Sequence, residues 1–284
     1  MTGQSICYNL LKGKTMSNKD YFSYNNGEDV TKGAFRMGAS QISKFFDSTS
    51  DWYHEHLLGA EGFTGNTATH LGTIVHAGIE MFVSEGSVDW DAIETHIDSI
   101  KDPEVNTDHI RNQYPIMIDA ALPYVETHMP SEVEKFVYHE VLPGIGVGGS
   151  IDAIRGDTIM DWKTTSAKSP PKRFSRNYWF QQMTYAWVLK QQGIDINYLK
   201  LVFISQSEMG RVSEKTGKPL KNYPSVVTTL TEEVTAEGLD LIGSCIGIIA
   251  ESVQMWNDKP ELRHLLAQDS RLRPKPKPIL FNKE

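Results

Sequence analysis

Cysteine is almost absent from this 284-residue sequence, which has only Cys7 and Cys245. Two thiols exclude a disulfide framework and any four-cysteine metal or iron–sulfur site held within one chain. No apolar run approaches the roughly 18 residues that cross a bilayer as a helix. The first residues, MTGQSICYNLLKGKTMSNKD, lack the apolar centre of a secretory leader. There is no Gly-xxxx-Gly-Lys-Ser/Thr loop, so no nucleotide-driven motor is expected. An excess of positive charge is also missing: 28 Lys and Arg face 36 Asp and Glu, a formal net charge of −8. That balance argues against a general nucleic-acid coat but not against a local basic track, because binding follows the charge at the contact surface. The expectation is a cytoplasmic globular protein without a membrane partner or a bound nucleotide.

What is present is ordinary for a globular chain, with 39% hydrophobic and 23% charged residues. The length suits one large domain with appendages. Residues 1–36, rich in Asn, Gly, Ser and Lys, read as a polar N-terminal arm. Residues 37–267 read as the domain, and the basic, Pro-rich stretch 268–284 as an extended tail. Ser40 is a candidate cap for one or two short helices over 39–59. Apolar residues Leu71, Ile74, Val75, Gly78, Met81 and Phe82 recur at helical spacing up to a stop at Gly86. Helices are also expected over 89–100, 107–127, 176–191 and within 231–267. Strands are expected in VEKFVYHEVLP, in the hairpin GGSIDAIRGDTIMDWKTTS, in YLKLVFISQ and in VVTTLT, with residues 207–225 as a long polar loop. The fold class is mixed α/β, a small central mixed sheet flanked by helices.

The hairpin carries the chemistry. Gly156-Asp157 is a favoured two-residue turn. It would pair Arg155 with Thr158 and, counting back, set Asp152 opposite Asp161 with Cβ atoms roughly 4.5–5.5 Å apart. Lys163 then shares the face of Asp161, while Trp162 points into the core. Like charges directly opposite are destabilising, and a divalent cation between them reverses that sign. Spacing alone leaves a plainer alternative open, in which all three are solvated residues of an amphipathic hairpin. A three-residue turn would also shift the register and separate the aspartates.

An acidic residue followed by a strand ending in Asp-x-Lys resembles the PD-(D/E)XK nuclease superfamily. The match is to its RecB-like branch, which includes stand-alone phage and bacterial recombination exonucleases. GTIVHAGIE supplies Gly72, His76 and Glu80 in that branch's Gly-xxx-His-xxx-Glu pattern. YHEVLPGIGVGGSIDAI supplies Glu140 and then Asp152, and QQMTYAWVL supplies Gln181 and Tyr185. The resemblance covers roughly residues 38–205 and implies a restriction-endonuclease-like core. It also implies Mg²⁺ or Mn²⁺ held by His76, Asp152, Asp161 and the Trp162 carbonyl, with Glu140 a ligand of the metal or its water. Lys163 would position or deprotonate the attacking water and offset charge. Glu80, Gln181 and Tyr185 would brace the site or touch DNA. Relatives that carry an iron–sulfur cluster hold it by four cysteines, which this chain lacks. The stand-alone type works as a ring-shaped oligomer or beside a single-strand annealing protein.

Between these motifs lies TTSAKSPPKRFSRNYW. Its Lys168, Lys172, Arg173 and Arg176 suit phosphates, and Phe174, Tyr178 and Trp179 suit stacking on unpaired bases. The expectation is a metal-dependent deoxyribonuclease acting at DNA ends or single strands in recombination, repair or replication. The compartment would be the cytoplasm of a bacterium or of a phage-infected host. Two rivals are a structure-specific endonuclease of the same fold and a catalytically silent DNA-end or protein-binding module.

Overall fold

The computed structural model describes residues 20–22, 34–58, 65–166, 168, 171–213 and 215–262. Among the described residues six strands form one mixed sheet: β1 (Phe35–Gly38), β2 (Glu132–Leu142), β3 (Ile145–Arg155), β4 (Thr158–Thr165), β5 (Tyr198–Ser205) and β6 (Val227–Glu233). Among the described residues the α-helices are α1 (Ile42–Asp47), α2 (Thr49–His56), α3 (Thr67–Glu85), α4 (Trp90–Ser99), α5 (Thr107–Thr127), α6 (Arg176–Gln191) and α7 (Ala236–Asp258). The expected mixed sheet flanked by helices is the observed fold.

Local chemistry explains the main elements. Asn66 caps α3 by accepting the Thr69 N–H at 3.0 Å, and Gly86 ends it at φ +79°, a left-handed value that favours glycine. A Cβ on Gly78 would lie 2.4 Å from Ile118 Cδ1, so glycine allows α3 to press against α5. Ser175 starts α6 by accepting the Tyr178 N–H. Each face of the sheet carries its own core. Leu71, Ile74, Ile93 and Met117 of α3, α4 and α5 pack on Trp162, Val202 and Ile204. Ile42, Trp52, Leu189 and Ile246 of α1, α2, α6 and α7 pack on Val147, Ile159, Leu201 and Phe203. Each such residue, fully buried, contributes about 1.5–3 kcal/mol.

Several expectations need correction. β1 lies where the arm was expected to meet the domain, because Phe35–Gly38 pairs in parallel with Ile145–Gly148 of β3. Ser40 is not a cap: Ala39–Gln41 is a 3₁₀ turn in which the Gln41 side chain accepts the Gly38 N–H at 2.8 Å. Part of the arm is firmly seated. Tyr21 donates to Glu85 at 2.8 Å, and the Phe22 ring stacks on His96 with centroids 4.0 Å apart. The tail over 268–284 and the end of the helical stretch predicted for 231–267 lie outside the described residues. By length and composition α7 is apolar enough to cross a membrane, unlike the sequence reading. A core helix meets the same test, and Ile242, Ile246, Ile249 and Val253 are buried against the sheet.

The arrangement around β3 positions the site. β2 pairs antiparallel along one edge of β3, from Glu132↔Ile154 to Leu142↔Ile145. The other edge is shared by two shorter neighbours. β1 runs beside Ile145–Gly148, and β4 pairs only through Ala153↔Met160, Ile154↔Ile159 and Arg155↔Thr158. β4 then leaves to pair with β5 along its whole length. Gly149–Asp152 therefore has no ladder partner on that edge, and the sheet splits there.

Candidate active site

The split forms a cleft of about 470 Å³ that side chains from both helical layers reach. α3 contributes Thr73, His76 and Glu80, α6 contributes Gln181 and Tyr185, and the strands contribute Arg36, Glu134, Ser150, Asp152 and Lys163. A closed sheet would keep the helices of its two faces apart; the gap brings them together. Gly72 allows the approach of α3, since a Cβ there would touch Thr164 Oγ1 of β4 at 3.4 Å. Gly149 does the same for α6, where a Cβ would lie 3.1 Å from the Tyr185 hydroxyl.

The turn at Gly156 has φ +59°, and the pairs nearest it show the expected register. The ladder nevertheless stops one pair short of Asp152 and Asp161. In place of a backbone acceptor, Asp152 Oδ2 takes the Trp162 N–H at 2.9 Å. The same carboxylate oxygen lies 3.4 Å from His76 Nδ1. Lys163 Nζ lies 2.6 Å from Asp161 Oδ2, and Asp161 is only 1% exposed. Alternation puts Trp162 on the opposite face, buried edge-on to Tyr124.

Burial and charge set the protonation states. Burial pushes Asp161 up to about 6, with the Lys163 charge opposing. Asp152 is raised for the same reason, against Lys163 and the Trp162 N–H. Burial and the Lys163 ammonium lower His76 to about 4, so its imidazole is neutral at pH 7 and its nitrogen can bind a cation. The Trp162 backbone beside the ring opposes part of this lowering. Burial alone would lower Lys163, but Asp161 and Asp152 prevail and raise it. An ammonium held so firmly suits charge compensation and positioning rather than proton abstraction.

The remaining expected residues divide clearly. Glu80 is buried and faces the cleft, and Gln181 and Tyr185 line it from α6. Glu140 is not brought to the site. It pairs with Gly146, and its carboxylate accepts the Gly144 N–H at 2.7 Å, bracing the β2–β3 turn. Six residues along a strand set it roughly 20 Å from Asp152. The acid of β2 that does reach the cleft is Glu134, which has φ +47° and interrupts the β2 ladder between Val133↔Ala153 and Lys135↔Ile151, opposite Asp152. Counting back from the turn at Pro143-Gly144 would set Lys135 opposite Asp152; the register shift between Glu140 and Leu142 puts Glu134 there instead. Arg36 was missed because β1 was.

The aromatic residues between the basic ones face inward, not outward. Phe174 is 9% exposed and belongs to the core, and Trp179 packs on Phe180. The Tyr178 ring lies 5.3 Å under Lys163 Nζ and supports that ammonium. Lys172 and Arg173 are exposed, whereas Arg176 is paired with Asp47 and Lys168 lies 3.3 Å from Glu208.

Among the described residues no group of three or more His, Cys, Asp and Glu side chains forms a ready cation cage. The Lys163 ammonium stands against the Asp161 oxygen that a cation would need. The donor set still suits a hard divalent ion, with the Asp152 carboxylate beside a neutral imidazole and the buried Asp161 carboxylate behind Lys163.

A sequence model of a family described as the PD-(D/E)XK nuclease superfamily matches residues 36–247. Searching curated proteins finds no match. Solved structures similar to the chain include one from Eubacterium rectale, provisionally described as an exonuclease. It has 15% identity and a TM-score of 0.49, with coverage of 90% of this chain and 87% of that one. A phage-related exonuclease from Haemophilus somnus 129PT shows 10% identity, a TM-score of 0.39 and coverage of 80% and 97%. An alkaline exonuclease from Laribacter hongkongensis shows 10% identity, a TM-score of 0.36 and coverage of 82% and 96%.

Proposed function

Since the chain belongs to the PD-(D/E)XK nuclease superfamily, we propose that it is a divalent-metal-dependent deoxyribonuclease that hydrolyses phosphodiester bonds at DNA ends. The observation that carries this reading is the meeting of Asp152, Asp161, Lys163 and His76 at one split in the sheet. His76, Asp152, Asp161 and the Trp162 carbonyl would hold Mg²⁺ or Mn²⁺, and such an ion polarises a phosphate and lowers the pKa of a bound water. Lys163, held charged and seated on Tyr178, offsets negative charge that develops on the phosphate. Glu80 and Glu134 add negative potential that favours a cation over the bare lysine. Tyr21 and Phe22 wall part of the cleft, which favours entry of a strand end over a duplex lying across it.

The test uses end-labelled linear, nicked and closed circular DNA with Mg²⁺, with Mn²⁺ and with EDTA. Loss of linear DNA with circles spared, in either metal and not in EDTA, is the expected result. Cutting of closed circles would make the protein a structure-specific endonuclease, and no cleavage of any substrate would refute the assignment.

A further inference from the structure

β5 and β6 are joined by a hairpin, described over residues 208–213 and 215–223. Glu208 and Tyr223 exchange backbone hydrogen bonds of 2.8 and 3.0 Å, and Leu220 N–H donates to the Arg211 carbonyl at 2.8 Å. Nearer the tip, Ser213 N–H donates to the Lys218 carbonyl at 2.9 Å. The root is clamped from two sides. Gln113 of α5 accepts the Ser207 N–H at 2.8 Å and donates to the Ser207 carbonyl at 3.1 Å. Ser225 Oγ donates to the Ser205 carbonyl at 2.5 Å, and Ser205 Oγ accepts the Val226 N–H at 3.0 Å. A plain connection between two strands has no need of these bonds; they aim the hairpin.

Its chemistry runs against that of the whole chain. In a protein of net charge −8, residues 208–223 hold Arg211, Lys215, Lys218 and Lys221 against Glu208 and Glu214. Glu208 is already engaged by Arg211 and by Lys168 of the basic loop. No carboxylate among the described residues pairs with Lys215, Lys218 or Lys221. Met209, Val212 and Leu220 are exposed by 55%, 56% and 42%.

We propose that this finger is a second grip on DNA, in which the three lysines hold backbone phosphates of the strand that leads away from the cleft. The inference rests on the reading of the chain as a deoxyribonuclease. Its placement supports it. The finger rises from the C-terminal ends of β4 and β5, where Thr165 pairs with Ser205, two residues beyond Lys163. At ~3.3 Å per residue its root is roughly 15 Å from Lys163. That is about four or five steps of a DNA strand at ~3.4 Å each, so the finger meets phosphates outside the cleft.

The test is the triple variant Lys215→Gln/Lys218→Gln/Lys221→Gln. Binding to a long duplex in EDTA should weaken regardless of sequence. The slope of log affinity against log salt should become shallower by up to about 0.9 per lost contact. With metal present, KM on the long duplex should rise with kcat unchanged, while turnover of a tetranucleotide, too short to reach the finger, should match wild type. A wild-type salt slope and KM on the long duplex would overturn the inference, as would an equal loss on the tetranucleotide. A change of oligomeric state in sedimentation with an unchanged slope would make the finger a protein contact and also overturn it. Wild-type protein that neither binds nor cuts DNA would instead remove the nuclease reading on which the inference stands.

Discussion

Asp161 and His76 should give the metal-free protein opposite responses to acid, so removing either should expose the other. Asp161 is raised to about 6 and His76 lowered to about 4, shifts of roughly 2 and 2.5 units from their values in an unfolded chain. Between about pH 4 and 6 the folded protein keeps a proton on Asp161 that the unfolded chain has released. This contribution to stability is present at low pH and lost as pH rises through about 6. His76 acts in the other direction: below about pH 6.5 the unfolded chain takes a proton that the fold refuses until about pH 4, so stability falls with falling pH. Each full shift is worth about 3 kcal/mol, and on the order of 2 kcal/mol of each has developed at pH 4.5. With Asp161 only 1% exposed, solvent screening removes little of this. Urea unfolding in EDTA at pH 7.5 and 4.5 measures the effect. The two contributions should nearly cancel in wild type. Relative to it, Asp161→Asn should lose about 2 kcal/mol on acidification and His76→Gln should gain about as much. Parallel pH profiles in all three proteins would refute this account of the site's electrostatics.

Mg²⁺ or Mn²⁺ should raise the melting temperature, by the equivalent of about 2.7 kcal/mol at a hundred times Kd. The gain should vanish in Asp152→Asn and fade below about pH 6, where Asp161 holds a proton; equal midpoints in Mn²⁺ and EDTA would count against a cation site. Lys163→Ala should lower single-turnover cleavage by about 10²–10³-fold or more with circular dichroism unchanged, and near-normal turnover would sink its assignment. Glu134→Gln should slow cleavage while Glu140→Gln leaves it at the wild-type rate, and the reverse result would restore Glu140 to the site. Lys172→Gln/Arg173→Gln should flatten the salt dependence of duplex binding by up to about 1.8, and adding Arg176→Gln should change it little more, since Asp47 already holds that guanidinium.

The parts of the fold that could be read from sequence are those set by short-range rules. α3 has a polar cap, an apolar stripe and a stopping glycine within 21 residues, 66–86, and its bounds follow from them. The β3–β4 hairpin follows from its turn, which sets the register locally. β1 could not be read this way. Its four residues, FRMG, show no useful alternation, and they are ordered by pairing with β3 more than a hundred positions later. The finger was hidden for a related reason: its root is held by Gln113, 94 positions away. Phe174 and Tyr178 were placed on the surface because spacing does not tell a loop aromatic that covers the core from one that faces solvent.

The site itself depends on pairing that does not form, which sequence patterns express poorly. Asp152 follows the alternation of β3, yet its ladder is broken on both edges, by Glu134 at φ +47° on one side and by the departure of β4 on the other. A non-glycine residue in that conformation costs on the order of 1–3 kcal/mol and persists only where the surroundings over-determine it. Here two separate cores hold β2, β3 and β4 from opposite faces. If the ladder closed at Asp152 and Asp161, their carboxylates would face each other across a regular sheet and α3 would be shut out from α6. Opening it leaves Asp152 free to take the Trp162 N–H, lets His76 reach in from one layer and Tyr185 from the other, and puts the Trp162 backbone beside the imidazole. Asp152, Asp161 and Lys163 were legible because they sit on one short hairpin. Glu134 and Arg36 were not, because a register shift in β2 places the one and the distant pairing of β1 with β3 places the other.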